Sequence, residues 1–293
     1  PDGRHLGILA SDAEGRSGLR VHSFESGQTR ELQRAGNIGS MPFWSPDGRF
    51  LVYGRPDGVY TIDIGGGPPE RIAASSFRVT HGAWSPSGVL VVGGQGAGLM
   101  RLSAEGGEIV PLTALDESRQ EFLHAGPSFL PDGRRFLYMR FSKDPSRSGV
   151  YVGSLDVPPN EQPAARVMAS DGIPMFAASA NPEQGHVLFM RERALMAQAF
   201  DVDSLQLAGE PVLVADNIQI QNSSGVFSAS ANGVLVFKHS EESMVGGTPV
   251  WVDHDGTELG VAVPTAPGDT VYPQISADGT RVALVVDNDV WVH

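Results

Sequence analysis

The sequence contains no cysteine. Disulfide bonds, zinc sites built from thiolates and a thiol nucleophile are therefore excluded. The lack of cysteine does not show whether the protein is located in the cytoplasm or in the periplasm, because many exported bacterial proteins also lack disulfides. Lysine is scarce as well, since Lys143 and Lys238 are the only two among 21 Lys and Arg residues. Such a bias towards arginine indicates a bacterial source with a GC-rich genome.

Basic residues are fewer than acidic residues. The chain has 34 acidic residues, a formal net charge of −13 and a pI near 5.0. A surface that binds nucleic acid requires a basic stripe, so nucleic acid is excluded as a partner. No apolar run approaches the roughly 20 residues that cross a bilayer, and we expect that this chain does not itself span a membrane. Because it begins at Pro1 without Met or a signal peptide, we interpret it as a domain excised from a longer protein.

Familiar catalytic motifs are missing too. The sequence has no Gly-x-Ser-x-Gly elbow, no His-Glu-x-x-His helix, no Walker A loop and no EF-hand loop. We therefore predict no catalytic residues, no metal site and no cofactor. The expectation that follows is that this chain is not an enzyme.

Glycine and proline are abundant, at 36 and 21 residues, and 41% of the chain is hydrophobic. This composition is typical of many short strands joined by tight turns. One turn motif recurs, most clearly at 44–49, 84–88, 130–134 and 276–281, with weaker copies at 181–185 and 230–233. A period of about 40 to 50 residues is that of a four-stranded propeller blade.

The chemistry of the motif explains its recurrence. Proline presets φ, Asp hydrogen-bonds locally and glycine takes the positive φ that closes a hairpin. Each turn is followed by a short apolar run, such as 50–53, that suits a strand buried between neighbouring sheets. Residues 191–198 are helix formers, but the repeat predicts a strand over 195–200, because context overrides propensity.

We therefore predict one all-β domain over 1–293, a β-propeller of four-stranded antiparallel blades. Seven blade units are expected, the first and last incomplete, with six as the alternative. The predicted units are 1–32, 33–72, 73–113, 114–168, 169–215, 216–263 and 264–293.

These turn motifs resemble the PD40 (WD40-like) repeats of TolB-like β-propellers over essentially the whole chain. Five sequence segments are also similar, in the same order, to the C-terminal propeller regions of bacterial transmembrane serine/threonine protein kinases: 41–52, 130–138, 149–156, 195–210 and 250–256. The resemblance implies a sensor in the periplasm or at the cell surface, in a parent chain anchored in the membrane. The kinase motifs themselves are absent from this sequence.

The first strand of each propeller blade lines the central channel, and its beginning opens at one mouth. Counting back seven residues from the turn glycines gives Met41, His81 and Tyr272, while His124 lies two residues before Gly126. We predict that Met41, His81, His124 and Tyr272 bind a ligand at this mouth: a small molecule, a peptide or a protein partner. The alternative is that the two histidines only satisfy neighbouring backbone groups.

Three functions remain open from the sequence. The first is a non-catalytic, ligand- or protein-binding sensor module. The second is a TolB-like periplasmic interaction scaffold. The third is a propeller enzyme of the glycosidase or lyase type acting at the channel mouth, which requires paired carboxylates or a metal-binding cluster there. The predicted first strands supply few acids beyond Asp171 and Asp269.

Overall fold

In a computed structural model the chain is almost entirely β. The structure describes residues 5–11, 17–23, 26–33, 38, 40–179, 184–221, 224–229, 235–240, 250–252, 257–261, 270–275, 282–286 and 289–292. Within these ranges the only helical segments are single 3-10 turns at Glu117–Arg119, Pro145–Arg147 and Pro159–Glu161. No helix in this part of the chain has the length and apolar character that a membrane crossing requires.

The strands follow one another along the chain with short connections. They are β1 His5–Ser11, β2 Ser17–Ser23, β3 Gln28–Gln33, β4 Phe43–Trp44, β5 Phe50–Arg55, β6 Gly58–Asp63, β7 Glu70–Ala74, β8 Val79–Trp84, β9 Val89–Gly94, β10 Met100–Ser103, β11 Val110–Pro111, β12 Glu121–Phe129, β13 Arg135–Ser142, β14 Gly149–Ser154, β15 Arg166–Ala169, β16 Met175–Ala178, β17 Gln184–Arg191, β18 Ala194–Asp201, β19 Gln206–Ala215, β20 Ile220–Gln221, β21 Ser224–Gly225, β22 Phe227–Ala229, β23 Leu235–Phe237, β24 Val250–Val252, β25 Glu258–Val261, β26 Thr270–Ile275, β27 Val282–Val286 and β28 Asp289–Val292.

Four antiparallel sheets contain four strands each: β4–β7, β8–β11, β12–β15 and β16–β19. The strand order in each sheet follows the chain, as in a propeller blade. The first sheet, β1–β3, and the last, β26–β28, contain three strands, and the described strands between β19 and β26 form pairs. The prediction of an all-β propeller is confirmed. The blade boundaries stay a prediction.

The recurrent turn has the structure that its residues predict. Asp47 Oδ1 accepts a hydrogen bond from the Arg49 amide at 3.0 Å, and Gly48 has a φ of 71°. The corresponding glycines, Gly88 and Gly133, also have positive φ. Ser85 Oγ, in one turn, donates a hydrogen bond to the Gly133 carbonyl in the turn of the next blade. The turns therefore close their hairpins, and the turn at 84–88 also joins its blade to the next one.

The core lies between adjacent sheets. The run after the first complete turn is buried, with Leu51, Val52 and Tyr53 all 0% exposed. The segment of helix formers is a strand, as predicted, because the fully buried Leu195 on β18 packs between sheets. Burying such a side chain contributes about 2 kcal/mol, more than the difference in intrinsic propensity. Trp84 stacks on Phe50 of the preceding blade, with ring centroids 6.4 Å apart.

The first strands of successive blades contact one another, β4 with β8, β8 with β12 and β12 with β16. The Met41 amide donates to the Thr80 carbonyl at 3.1 Å, and the His124 amide donates to the Ala97 carbonyl at 3.0 Å. Both bonds cross between blades where a first strand begins. We call this side of the propeller the mouth face, marked by Met41, Thr80 and Phe122, and the side with the Pro-Asp-Gly turns the turn face.

Candidate functional site

The first strands lose regular pairing at or near the mouth face. Extra residues interrupt the register at Thr80 in β8, at Phe122 in β12 and at Tyr272–Pro273 in β26. Proline cannot donate to the ladder, which accounts for the break beside Tyr272. Bulges at such positions change the direction in which side chains point and are frequent next to binding sites. The backbone of Tyr272 therefore lies at an irregular point of a first strand; its side chain is outside the described part of the structure.

Met41 and His81 lie beside each other, on neighbouring blades. The Met41 side chain is 59% exposed. The His81 residue keeps some exposure, but its ring Nε2 is buried and has no hydrogen-bond partner in the described structure. Nδ1 lies 2.7 Å from Thr80 Oγ1. Burial lowers the pKa of His81 to about 4, so the ring is neutral at neutral pH.

Gly93 on β9 makes room for the His81 ring. A Cβ at this glycine would lie 2.6 Å from His81 Nε2. The ring is therefore held against the neighbouring strand of its own blade. A ligand would have to move the ring to reach Nε2, so the ligand-binding role of His81 stays a prediction.

His124 is completely buried and fully hydrogen-bonded. Its Nε2 lies 2.9 Å from Glu121 Oε2, and its Nδ1 lies 2.7 Å from Thr113 Oγ1. Burial lowers the pKa of His124, and this outweighs the hydrogen bond from Nε2 to Glu121, which raises it. The neutral ring must donate from Nε2 to the carboxylate and accept the Thr113 proton at Nδ1. Its role as a ligand-binding residue likewise stays a prediction.

Glu121 is the centre of this arrangement. Its side chain is 2% exposed and accepts hydrogen bonds from His124 and from the Asp116 amide, the latter at 2.9 Å. Arg119 Nε and Arg140 Nη1 each lie 3.6 Å from Oε1. Burial raises the pKa of Glu121, but these hydrogen bonds and the Arg140 charge bring it below its usual value. The carboxylate is therefore ionised and is balanced by two guanidinium groups.

Two tyrosines surround the same guanidinium groups. Arg140 Nε donates to Tyr138 Oη at 2.7 Å, and Arg119 Nη2 donates to Tyr151 Oη at 2.7 Å. Burial raises the pKa of Tyr138 to about 12, so it remains a neutral phenol. We call Glu121, His124, Arg119, Arg140, Tyr138 and Tyr151 the Glu121 hub.

The Glu121 hub was not predicted from the sequence. The available signal was Arg140, a charged residue that ends the apolar run after the turn at 130–134. A charge at the end of a buried strand requires a partner, but only the fold brings residues 113–124 against residues 138–151.

Beside the hub, the mouth face exposes a pair of aromatic rings. Phe122 is 43% exposed, and its ring centroid lies 6.1 Å from that of Phe141 at an interplanar angle of 37°. The exposed Lys143 follows on the same hairpin, and its amide donates to the Gln120 carbonyl at 3.0 Å. Such an arrangement can bind apolar groups and anions. Within the described ranges, no group of three or more His, Asp or Glu residues could hold a metal ion.

Comparison with known proteins identifies relatives of the propeller. No family model matches the chain. The uncharacterised peptidase YuxL of Bacillus subtilis is 30% identical over 146 residues, which cover 47% of this chain and 20% of that protein. This chain therefore spans only about a fifth of the length of the curated relative that it matches.

Solved structures share the fold at low identity. TolB of Agrobacterium tumefaciens is 17% identical, with a TM-score of 0.61 over 95% of this chain and 98% of that chain. The gluconolactonase XC5397 of Xanthomonas campestris is 16% identical, with a TM-score of 0.59 over 99% and 95%. A puromycin-hydrolyzing peptidase of Mycobacterium tuberculosis is 13% identical, with a TM-score of 0.60 over 99% of this chain and 53% of that chain. These likenesses show a shared β-propeller fold.

The comparisons contradict the expectation that this chain is not an enzyme. Three of the proteins that resemble it are named as hydrolases: a peptidase, a gluconolactonase and a puromycin-hydrolyzing peptidase. The expectation was wrong because it relied on short motifs. Catalytic groups need to converge only in space, so the same chemistry recurs without a shared sequence pattern.

Proposed function

We propose that this chain is the β-propeller of a peptidase-type hydrolase and that its mouth face binds the substrate. The observation that carries the proposal is the 30% identity to the peptidase YuxL over 146 residues. The puromycin-hydrolyzing peptidase supports it, because a propeller like this one corresponds to 53% of that chain.

The mouth face offers what peptide binding requires. Met41 and Phe122 are large apolar side chains left 59% and 43% exposed at one end of the first strands. The bulge at Phe122 leaves backbone groups outside the regular ladder, where a peptide can hydrogen-bond to them. The Glu121 hub lies directly beneath and holds the strand ends in place, since rigid support is what a binding site needs.

The test uses the full-length gene product. Chromogenic amides of short neutral peptides report peptidase activity, and gluconolactone reports the lactonase alternative. We expect hydrolysis of the peptide amides. Phe122→Ala should raise KM and leave kcat nearly unchanged, because a contact distant from the reacting bond contributes to binding alone. Val212→Ala, which removes an exposed apolar side chain on the outer strand β19, is the control. No hydrolysis of any peptide amide would overturn the proposal.

A second candidate is the sensor of a membrane-anchored serine/threonine kinase. It is favoured by the five sequence segments, the first at 41–52, that are similar to the propeller regions of such kinases. In that case the mouth face would bind a signal outside the cytoplasm, in the periplasm or at the cell surface. A TolB-like scaffold would instead bind a protein partner there. Transfer of the ATP γ-phosphate by the full-length protein to serine or threonine, without peptide hydrolysis, would favour the kinase.

A further inference from the structure

Charge is unevenly distributed along this acidic chain. Residues 114–168 contain seven basic and seven acidic residues and have no net charge, so the whole net charge of −13 lies elsewhere. An anionic group is repelled by most of the molecule but not by this blade. Exposed charges are screened beyond about 8 to 10 Å, so local groups decide which ligand binds here.

Two cations of this blade have no acidic partner among the described residues, and one of them, Arg166, donates to the Ser146 and Ser148 carbonyls. The other, Lys143, lies on the mouth face. Lys143 is exposed and forms no ion pair with any residue that the structure describes. In contrast, Arg147 lies 3.2 Å from Asp144, and Arg119 and Arg140 are directed at Glu121. The Lys143 ammonium is therefore available to an anion from outside.

Hydrogen bonds fix the backbone of Lys143 on the hairpin that carries Phe141. Its amide donates to the Gln120 carbonyl at 3.0 Å, and Ser142 Oγ donates to the Arg119 carbonyl at 2.7 Å. These bonds join the end of β13, which carries Phe141, to the start of β12, which carries Phe122. An apolar pair and a cation are thus held on one hairpin at the mouth face.

We infer that Phe122, Phe141 and Lys143 form a subsite for a carboxylate that follows a bulky apolar side chain, as at the C-terminus of a peptide ending in an aromatic residue. The aromatic pair contacts the side chain and Lys143 binds the carboxylate. This inference rests on the proposed function, because it assigns the substrate class of the same face.

Binding of two labelled peptides tests the subsite. The probes are fluorescein-labelled Ala-Ala-Phe with a free carboxylate and the same peptide as its C-terminal amide, measured by fluorescence anisotropy with the full-length protein. We expect the acid to bind about threefold more tightly than the amide, the size of an exposed ion pair. Lys143→Gln should make the two affinities equal, and Lys143→Arg should restore the preference. Phe122→Ala should weaken both about tenfold.

Val212→Ala is the control and should change neither affinity. Equal binding of acid and amide by the unaltered protein, or a preference that survives Lys143→Gln, would overturn the inference. The result also separates this inference from the proposed function. Hydrolysis of peptide amides without a carboxylate preference refutes the subsite alone, whereas a Lys143-dependent preference without hydrolysis refutes the peptidase alone.

Discussion

Replacing His81 by leucine should remove a large part of the acid sensitivity of this propeller. Leucine has a similar volume and no titratable nitrogen. Thr80 Oγ1 loses His81 Nδ1 but keeps the Gly93 carbonyl at 3.3 Å. We therefore expect His81→Leu to be folded and to differ from the unaltered chain mainly in how its stability depends on pH.

The magnitude follows from the pKa. Burial lowers the pKa of His81 from 6.5 to about 4 in the folded state. The unfolded chain binds a proton on His81 more tightly than the folded chain does. The contribution of the neutral His81 ring to the unfolding free energy is therefore fully present above pH 6.5 and is lost as the pH falls towards 4. Between pH 7.5 and pH 5.0 the loss is about 2 kcal/mol.

Urea unfolding followed by tryptophan fluorescence at these two pH values measures the effect. The unaltered chain should lose about 2 kcal/mol more unfolding free energy than His81→Leu does. Other titrating groups, including His124, are common to both proteins and cancel in the difference. His186→Leu, at an exposed position on β17, is the control and should behave like the unaltered chain. If His81→Leu and the unaltered chain lose the same stability, the buried, neutral state of His81 is refuted.

Three further substitutions test the packing. Glu121→Ala should lower the unfolding free energy by about 3 to 5 kcal/mol in urea, because it leaves the buried Arg140 and the half-buried Arg119 without their carboxylate. Gly93→Ala should cost about 1 to 3 kcal/mol, since its Cβ would lie 2.6 Å from His81 Nε2, and the double variant with His81→Ala should recover most of this loss. Gly126→Ala should abolish soluble expression, because this glycine has a φ of 60° and its Cβ would overlap Ile173; normal yield and melting temperature would contradict that packing.

The repeating part of the fold could be predicted from the sequence because local chemistry determines it. Proline, Asp and glycine fix the turn, and the apolar run that follows has to be buried, as at Leu51–Tyr53. The strand β18 was predictable only from the repeat, because Leu195–Gln198 alone favour a helix.

The candidate site was predictable only in part. Counting from the turn glycines gave Met41 and His81, which lie within two residues of where β4 and β8 begin. It could not show that a bulge at Thr80 and the space above Gly93 bury the His81 ring. Nor could it bring Glu121 to Arg140, since that contact depends on the pairing of β12 with β13.

The hydrogen bond from Ser85 to the Gly133 carbonyl has a consequence for how the repeats can diverge. On the turn face, the turn at 84–88 contacts the turn at 130–134 of the next blade, so a substitution in either turn affects two blades at once. On the mouth face, neighbouring blades are joined by backbone groups, such as the Met41 amide and the Thr80 carbonyl, which do not depend on the side chain. These segments differ widely, from residues 41–42 to the 3-10 turn at Glu117–Arg119. Duplicated units can therefore keep one side uniform while each acquires its own recognition residues on the other.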